Sequence, residues 1–105
     1  MPIDSRYLFI ASMDIEADRE KLFNEVYDEE HVPNLLKVPV VLSIARFQMR
    51  ELTLLIGGEK RLMKFEGEPK NHAIYEIESP DVLLSREWGE AVEMGRWPEH
   101  IRPYT

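Results

Sequence analysis

The sequence predicts an α+β domain in which one antiparallel sheet carries two helices on the same face. Segments with the two-residue side-chain period of β-strands are interleaved with segments whose apolar residues recur at helical spacing. Their order along the chain is strand, helix, strand, hairpin, strand, helix and strand. The 105 residues suffice for one hydrophobic core but not for two, and 44% of them are apolar. Residues 1–105 are therefore expected to form a single domain.

Three segments have the two-residue period of β-strands, namely residues 7–13, 40–50 and 71–78. Successive side chains of a strand point to opposite faces of the sheet. In the first segment, one face is predicted to carry Tyr7, Phe9, Ala11 and Met13, and the other Leu8, Ile10 and Ser12. The first and second segments are apolar on both faces, which is unusual for a sheet with one solvated side.

The first helix is predicted to begin after Asp14, a residue type preferred at helix N-caps, and to run to about Glu30. Its buried stripe is predicted to consist of Leu22, Phe23, Val26 and Tyr27. Pro33 is expected to open a short second helical turn, and Pro39 to end it, because the residue before a proline disfavours the α region.

The second helix is predicted to begin at Ser79 and Pro80 and to stop at Gly95. A serine cap followed by proline at the first helical position is a common helix start. Residues 96–105 form a proline-punctuated tail, in which a short final strand is expected near residues 100–102.

The segment between the second and third strands is predicted to be an inserted hairpin near residues 51–66. Residues 52–56 form its first strand, Gly57 and Gly58 its turn, and residues 62–65 its second strand. Lysine and arginine flank the turn, and such charges protect the edge of a sheet from unwanted pairing.

This order of elements is that of a ferredoxin-like fold, β-α-β-β-α-β, with both helices on one face of the sheet. Two helices cover only one face, and large side chains such as Phe9, Phe47 and Met49 cannot all lie beneath them. Exposed apolar patches of this kind are rare on monomers. We therefore expect a homodimer that packs its open sheet faces together. The rival explanation is that the hairpin folds back over its own sheet.

The charge balance disfavours several classes of partner. The chain has 13 basic and 20 acidic residues, a net charge of −7, and such a field repels nucleic-acid phosphates and anionic membranes. No run approaches the roughly 20 apolar residues that span a bilayer, and residues 1–6 do not resemble a signal peptide. We expect a cytoplasmic protein with neither nucleic-acid nor membrane partners.

Several segments in both halves of the chain carry a resemblance to a known family. In the first half they are residues 23–33, Leu35-Leu36-Lys37-Val38-Pro39 and Ala45-Arg46-Phe47. In the second half they are residues 73–83, then Ser85, Trp88, Trp97 and Ile101-Arg102-Pro103. Together these residues resemble an EthD-like member of the dimeric α+β barrel superfamily. Val40 stands where such proteins often have glycine, and the 51–66 segment resembles an insertion.

The resemblance implies a dimeric α+β barrel with a pocket between sheet and helices and with His31 at the rim of that pocket. The superfamily includes lactone isomerases, cofactor-free monooxygenases, haem-dependent enzymes and proteins with no assigned reaction. Because these activities share one fold, the fold alone carries little information about function.

Three side chains are candidates for catalysis. His31 follows the acidic run of residues 28–30, where the helix dipole and the carboxylates would favour its protonated form; it suits either proton transfer or capping of the helix end. Arg46 lies in a strand after an apolar run, so it either pairs with a carboxylate or binds an anion. Tyr75 can donate a hydrogen bond to an oxyanion.

Tyr27, Trp88 and Trp97 are candidates for substrate binding, although aromatic residues at such spacings often only fill the core. The chain has no cysteine, and its histidines and carboxylates lack metal-site spacing, so no metal is predicted and no cofactor is expected. A metal- or haem-dependent protein is the third hypothesis, because a haem needs only an axial ligand such as a histidine. His72 and His100 have no chemical partners in the sequence and are expected on the surface.

These observations favour a small-molecule-binding protein, with a cofactor-free isomerase, cyclase or monooxygenase acting by proton transfer on an aromatic or polyketide-like compound as the first hypothesis. The alternative is a ligand-binding or structural dimer without catalysis. The first hypothesis needs His31 to face a cavity, and the second does not.

Overall fold

A computed structural model describes residues 6–64 and 66–105. The five strands are β1 (Tyr7–Met13), β2 (Val41–Gln48), β3 (Leu52–Ile56), β4 (Glu59–Met63) and β5 (Asn71–Ile77). β5 lies in the centre of a three-stranded sheet of order β1-β5-β2, and both of its neighbours are antiparallel to it. The prediction of an α+β protein with antiparallel strands is confirmed.

The central strand sets which side chains face the helices. Tyr75 lies opposite Phe9 on β1 and Ile44 on β2, and these three residues point inward to the core. Ile74 lies opposite Ile10 and Ala45 on the outer face. The inner face is buried because the helices cover it, whereas no element of the described chain packs over the outer face to the same extent.

The first helical region is one continuous rod rather than a helix followed by a separate turn. It contains a 3₁₀ turn (Ala17–Arg19), helix α1 (Glu20–Val26), a π turn (Tyr27–His31) and helix α2 (Val32–Leu36). The short second helical turn predicted at Pro33 is present as α2, with proline among its first two residues, but it follows the first helix without a break. Proline lacks an N–H group and its ring crowds the carbonyl one turn earlier, and the wider π turn accommodates this without ending the helix.

The predicted N-cap of this helix is also wrong. Asp14 instead accepts a hydrogen bond of 2.8 Å from the backbone N–H of Lys70, and so ties the end of β1 to the start of β5. The helical backbone begins three residues later, at Ala17.

The second predicted helix is divided in two by Ser85, whose backbone is extended. A 3₁₀ turn (Pro80–Leu84) comes first, and the hydroxyl of Ser79 caps it, as predicted, by accepting from the N–H of Asp81. Helix α3 (Arg86–Ala91) follows, and the Ser85 hydroxyl caps it in the same way.

The C-terminal tail forms a π turn (Trp97–Ile101) and a 3₁₀ turn (Arg102–Tyr104), not a strand. The strand predicted near residues 100–102 is wrong. Trp97 and Ile101 are four residues apart, and the helical turn buries both of them on one face. The described residues therefore supply three strands of a ferredoxin-like sheet, and the fold is compatible with that class without its fourth strand.

β3 and β4 form a hairpin outside the main sheet, which we call the arm (residues 52–63). Gly57 and Gly58 have φ values of +60° and +84°, as a two-residue type I′ turn requires. The hairpin does not fold back over its own sheet, because all five residues of β4 are exposed. Phe65, predicted to end the hairpin, and residues 1–5, used in the signal-peptide argument, lie outside the described residues.

The arm gives the protein an extended shape. The Cα radius of gyration is 16.1 Å, whereas a compact domain of about 100 residues has a value of roughly 13 Å. Within residues 6–64 and 66–105, no helix combines the length and the apolar character needed to cross a bilayer.

Candidate functional site

The six residues predicted to form a site lie in one aromatic cluster between the inner sheet face and the helices. The π turn supplies Tyr27 and His31, β2 and β5 supply Arg46 and Tyr75, and the C-terminal half supplies Trp88 and Trp97. Each of them contacts at least one other member of the set. The cluster also contains Phe9 and Phe23.

The centre of the cluster is a pair of buried phenols. The hydroxyl oxygens of Tyr27 and Tyr75 are 2.7 Å apart, and both side chains are only 2% exposed. Burial raises the pKa of both Tyr27 and Tyr75, so both phenols are neutral hydrogen-bond donors at neutral pH. One of the two hydroxyl protons forms the bond between them, and the other remains for a second acceptor.

Arg46 lies over this pair at the edge of the sheet. Its guanidinium carbon is 4.6 Å from the ring centre of Tyr27 and 5.1 Å from that of Phe23. Its Nη1 donates to Asp28 over 2.7 Å, and its Nη2 donates to Asn24 over 2.9 Å. The ion pair with a carboxylate from the acidic run, one of the two sequence-based alternatives for Arg46, is therefore formed.

A cavity of about 250 Å³ opens beside Arg46 and reaches the surface. Its lining residues are Asn24, Asp28, Arg46, Phe47 and Gln48. The two hydrogen bonds described above occupy two of the five guanidinium N–H groups. The cavity thus combines a cation, an amide and a carboxylate.

His31 is buried inside the cluster instead of lying at a cavity rim. Only 5% of it is exposed, and its ring stacks on Trp97 with ring centres 3.9 Å apart and planes 11° from parallel. Burial lowers its pKa to about 4, and the nearby charge of Arg102 adds to this effect. The predicted protonated form is wrong, because burial and the charge of Arg102 both disfavour the imidazolium.

The helix-capping alternative for His31 is also wrong, since the π turn places it within the continuous helical region. Its Nδ1 is buried and finds no hydrogen-bond partner among the described residues. His31 does not line the cavity beside Arg46.

The two tryptophans close the cluster at opposite ends. Trp97 contacts Phe23, Tyr27 and His31 and is 6% exposed. Trp88 is half-buried, with its ring centre 5.6 Å from that of Tyr75. Both therefore act as walls of the aromatic core in this structure.

A second polar arrangement, on the outer sheet face, was missed by the sequence analysis. His72 Nε2 lies 3.0 Å from the carbonyl oxygen of Pro69 and must donate to it, because a carbonyl only accepts. His72 Nδ1 therefore accepts from the Ser12 hydroxyl over 2.8 Å. Strand alternation places Ser12 and His72 on one face, but only the β1–β5 register makes them neighbours. His100 is exposed, as expected.

Glu76, one carboxylate considered as a partner for Arg46, lies on this outer face as well. It is 8% exposed and accepts a hydrogen bond of 2.5 Å from Ser43. Its side chain therefore lies on the opposite side of the sheet from Arg46.

Among residues 6–64 and 66–105, no group of three or more histidine, aspartate or glutamate side chains is arranged to hold a metal ion.

No protein-family model, curated protein or solved structure matches this chain. The resemblance to EthD-like proteins therefore stays a hypothesis.

Proposed function

We propose that this protein is a small-molecule-binding homodimer of the dimeric α+β barrel kind, related to EthD-like proteins. The observation that carries the proposal is the hydrogen-bonded Tyr27–Tyr75 pair beneath Arg46, whose guanidinium reaches a surface cavity. Two neutral phenols and one cation form a continuous set of donors from the core to the surface. This arrangement suits a ligand that carries an oxyanion on an aromatic or polyketide-like frame.

Charge supports an anionic ligand at this position. The side chain of Arg46 is 15% exposed, so its charge is only partly screened by water. Asp28, its ion-pair partner, is 60% exposed and can rotate into solvent when a ligand takes its place. Asn24, which also lines the cavity, adds an amide beside the guanidinium.

The reaction class that fits such a site is proton transfer without a cofactor, as in an isomerase, a cyclase or a cofactor-free monooxygenase. Arg46 and Tyr75 would hold the developing oxyanion, and neutral His31 is the form that accepts a proton. Trp97 covers His31, so this chemistry requires the tryptophan to move.

A second candidate function, a ligand-binding or structural dimer without catalysis, is favoured by the burial of His31. In that case its ring contributes only packing to the aromatic core. The homodimer itself is supported under both candidates by the exposed apolar side chains of the outer sheet face, among them Leu8, Ile10 and Leu42.

Ligand binding is tested by following backbone amide NMR signals while small aromatic carboxylates, phenols and their uncharged amide analogues are added. We expect acids to shift signals around Arg46 and the amides to bind more weakly. Arg46→Met should weaken acid binding about ten-fold or more, since a charge-assisted pair is worth roughly 1.5–3 kcal/mol. The control Arg86→Met removes an exposed charge that pairs with Glu90 on α3, and it should leave acid binding unchanged. Equal weakening in both variants would contradict the site.

Catalysis is tested by deuterium exchange of the acidic C–H of an aryl 1,3-diketone in D₂O. A proton-transfer enzyme accelerates this exchange over buffer, and His31→Phe, which keeps an aromatic ring against Trp97, abolishes the acceleration. Exchange at the buffer rate with the wild-type protein would leave the non-catalytic candidate.

Sedimentation at micromolar concentration tests the dimer, and a species of only 12.4 kDa would contradict it.

A further inference from the structure

We infer that the arm of each protomer crosses to the second copy and lies on the outer sheet face of its partner. The inference rests on the proposed homodimer and adds the contact that holds it together. It assigns a role to residues 52–63, which the proposed ligand site does not use.

The arm lacks internal support. It is a hairpin of two five-residue strands, and an isolated two-stranded hairpin is marginally stable in water. Its large apolar side chains are open to solvent, with exposed fractions of 69% for Leu55, 54% for Leu62 and 48% for Ile56. Leu55 and Ile56 are consecutive in β3 and so point to opposite faces of the hairpin. The arm therefore has apolar surface to cover on both sides.

The base of the arm directs it away from its own sheet. The last cross-strand pair of the main sheet in this direction is Gln48 with Asn71. Beyond it, the N–H of Met49 donates to the carbonyl of Lys70 over 2.8 Å, which closes a neck at the end of the sheet. The arm continues past this neck, so its apolar side chains do not cover the outer face of the same protomer.

The outer sheet face also carries apolar side chains that are open to solvent. Leu8, Ile10, Leu42 and Phe47 are between 44% and 54% exposed there. Ile74 lies in the middle of this face, between Ile10 and Ala45. The face is apolar at its centre, and no element within residues 6–64 or 66–105 covers it.

Charge favours the same pairing. The arm carries Lys60 and Arg61 against Glu59, a net charge of +1, so the remainder of this −7 chain has a net charge of −8. An arm placed on another copy thus meets an oppositely charged body. Each copy offers one arm and one uncovered face, and a two-fold axis satisfies both pairs in a closed dimer. The complementary charges and the paired surfaces therefore favour a second copy of this chain as the molecule that covers the outer sheet face.

Cross-linking tests the inference directly, because the chain has no cysteine and any introduced thiol is unique. A tagged Leu55→Cys protein is mixed with untagged Ile10→Cys protein and treated with a short bismaleimide. We expect a tagged–untagged product. The matched control replaces Ile10→Cys with Leu84→Cys, a position that is 89% exposed in the turn before α3, and should give little product.

The doubly substituted protein, with Leu55→Cys and Ile10→Cys on one chain, distinguishes crossing from folding back. Products between chains support the inference, and products only within one chain overturn it. Equal yields with Leu84→Cys would show random collision and would overturn it as well.

Self-association separates this inference from the proposed function. Leu55→Asp with Leu62→Asp should raise the dimer dissociation constant at least ten-fold in sedimentation experiments, while near-ultraviolet circular dichroism of the aromatic core stays unchanged. A dimer of unchanged affinity would overturn the role of the arm and leave the homodimer standing. A wild-type protein that is monomeric at high concentration, or that associates only with some other molecule, would overturn both.

Discussion

The two faces of the three-stranded sheet are built from the same strands but have opposite environments. On the inner face, Tyr75 and Ile77 are each 2% exposed beneath the helices. On the outer face, Ile10 is 54% and Phe47 52% exposed, although both are as apolar as their inner neighbours. Composition therefore does not decide which face is the core; the position of the helices does. The outer face stays exposed because no helix of the described residues lies over it.

The largest expected difference between the faces comes from truncating one isoleucine on each. Ile77→Ala should lower the free energy of unfolding by about 2–5 kcal/mol, because it leaves a cavity in the packed core. Ile10→Ala should change the free energy of unfolding of the dilute monomer by about 0.5 kcal/mol or less, because the Ile10 side chain is already largely in water. Urea unfolding measures both, and equal losses at low concentration would contradict the difference between the faces.

The inner face should also respond to acid. The folded-state pKa of His31, at about 4, is below its usual value of 6.5, so the unfolded chain binds the proton first as the pH falls. Its stabilising contribution is complete above pH 6.5 and is lost as the pH falls toward 4, by about 3 kcal/mol in total.

Urea unfolding between pH 7 and pH 4 measures this loss. His31→Phe should flatten the dependence, whereas the control His100→Phe, at an exposed position, should preserve it. A wild-type curve that is flat over this interval would show that His31 is accessible and protonated in the folded protein.

The phenol pair offers a smaller and more specific test of the inner face. Tyr75→Phe removes one partner and leaves the buried hydroxyl of Tyr27 without its 2.7 Å bond, which should cost about 1–3 kcal/mol. The double variant with Tyr27→Phe and Tyr75→Phe removes both polar groups and should cost less than the sum of the single changes. Additive losses in unfolding experiments would mean that the two hydroxyls do not stabilise one another.

The smallest effect is expected at the junction before β2, where Val40 has a left-handed backbone with φ of +65°. This conformation costs a β-branched residue about 1–2 kcal/mol and suits glycine. Val40→Gly should therefore raise the free energy of unfolding by up to about 1 kcal/mol, after the greater flexibility of glycine in the unfolded chain is deducted. The control Val41→Gly, one residue later within the core, should lower it. Melting temperatures compare the two variants.

The sequence predicted well those features that depend on local pattern. Alternation assigned Phe9 and Ile10 to opposite faces, and the two glycines of the arm indicated its turn. The left-handed backbone of Val40, in contrast, has no signal in the local pattern, because valine is a residue type that rarely adopts it.

The failures concern contacts between residues far apart in the chain. The protonation of His31 was judged from the carboxylates beside it, but its environment is set by Trp97, which stacks on it from the C-terminal tail. The tail itself was expected to contain a strand, because the burial of Ile101 by a helical turn depends on the core that receives it. The Ser12–His72 pair likewise needs the register between β1 and β5.

One contact links this tail to the helix that carries His31. Glu30 accepts from the backbone N–H of Arg96 over 2.9 Å and also binds its guanidinium, and Gly95 lies so close that a Cβ there would be 2.5 Å from Glu30 Oε1. Arg96 directly precedes the tryptophan that covers His31. The Glu30–Arg96 contact therefore anchors the start of the tail to the helix, and so holds the Trp97 ring in register with the imidazole that it stacks on.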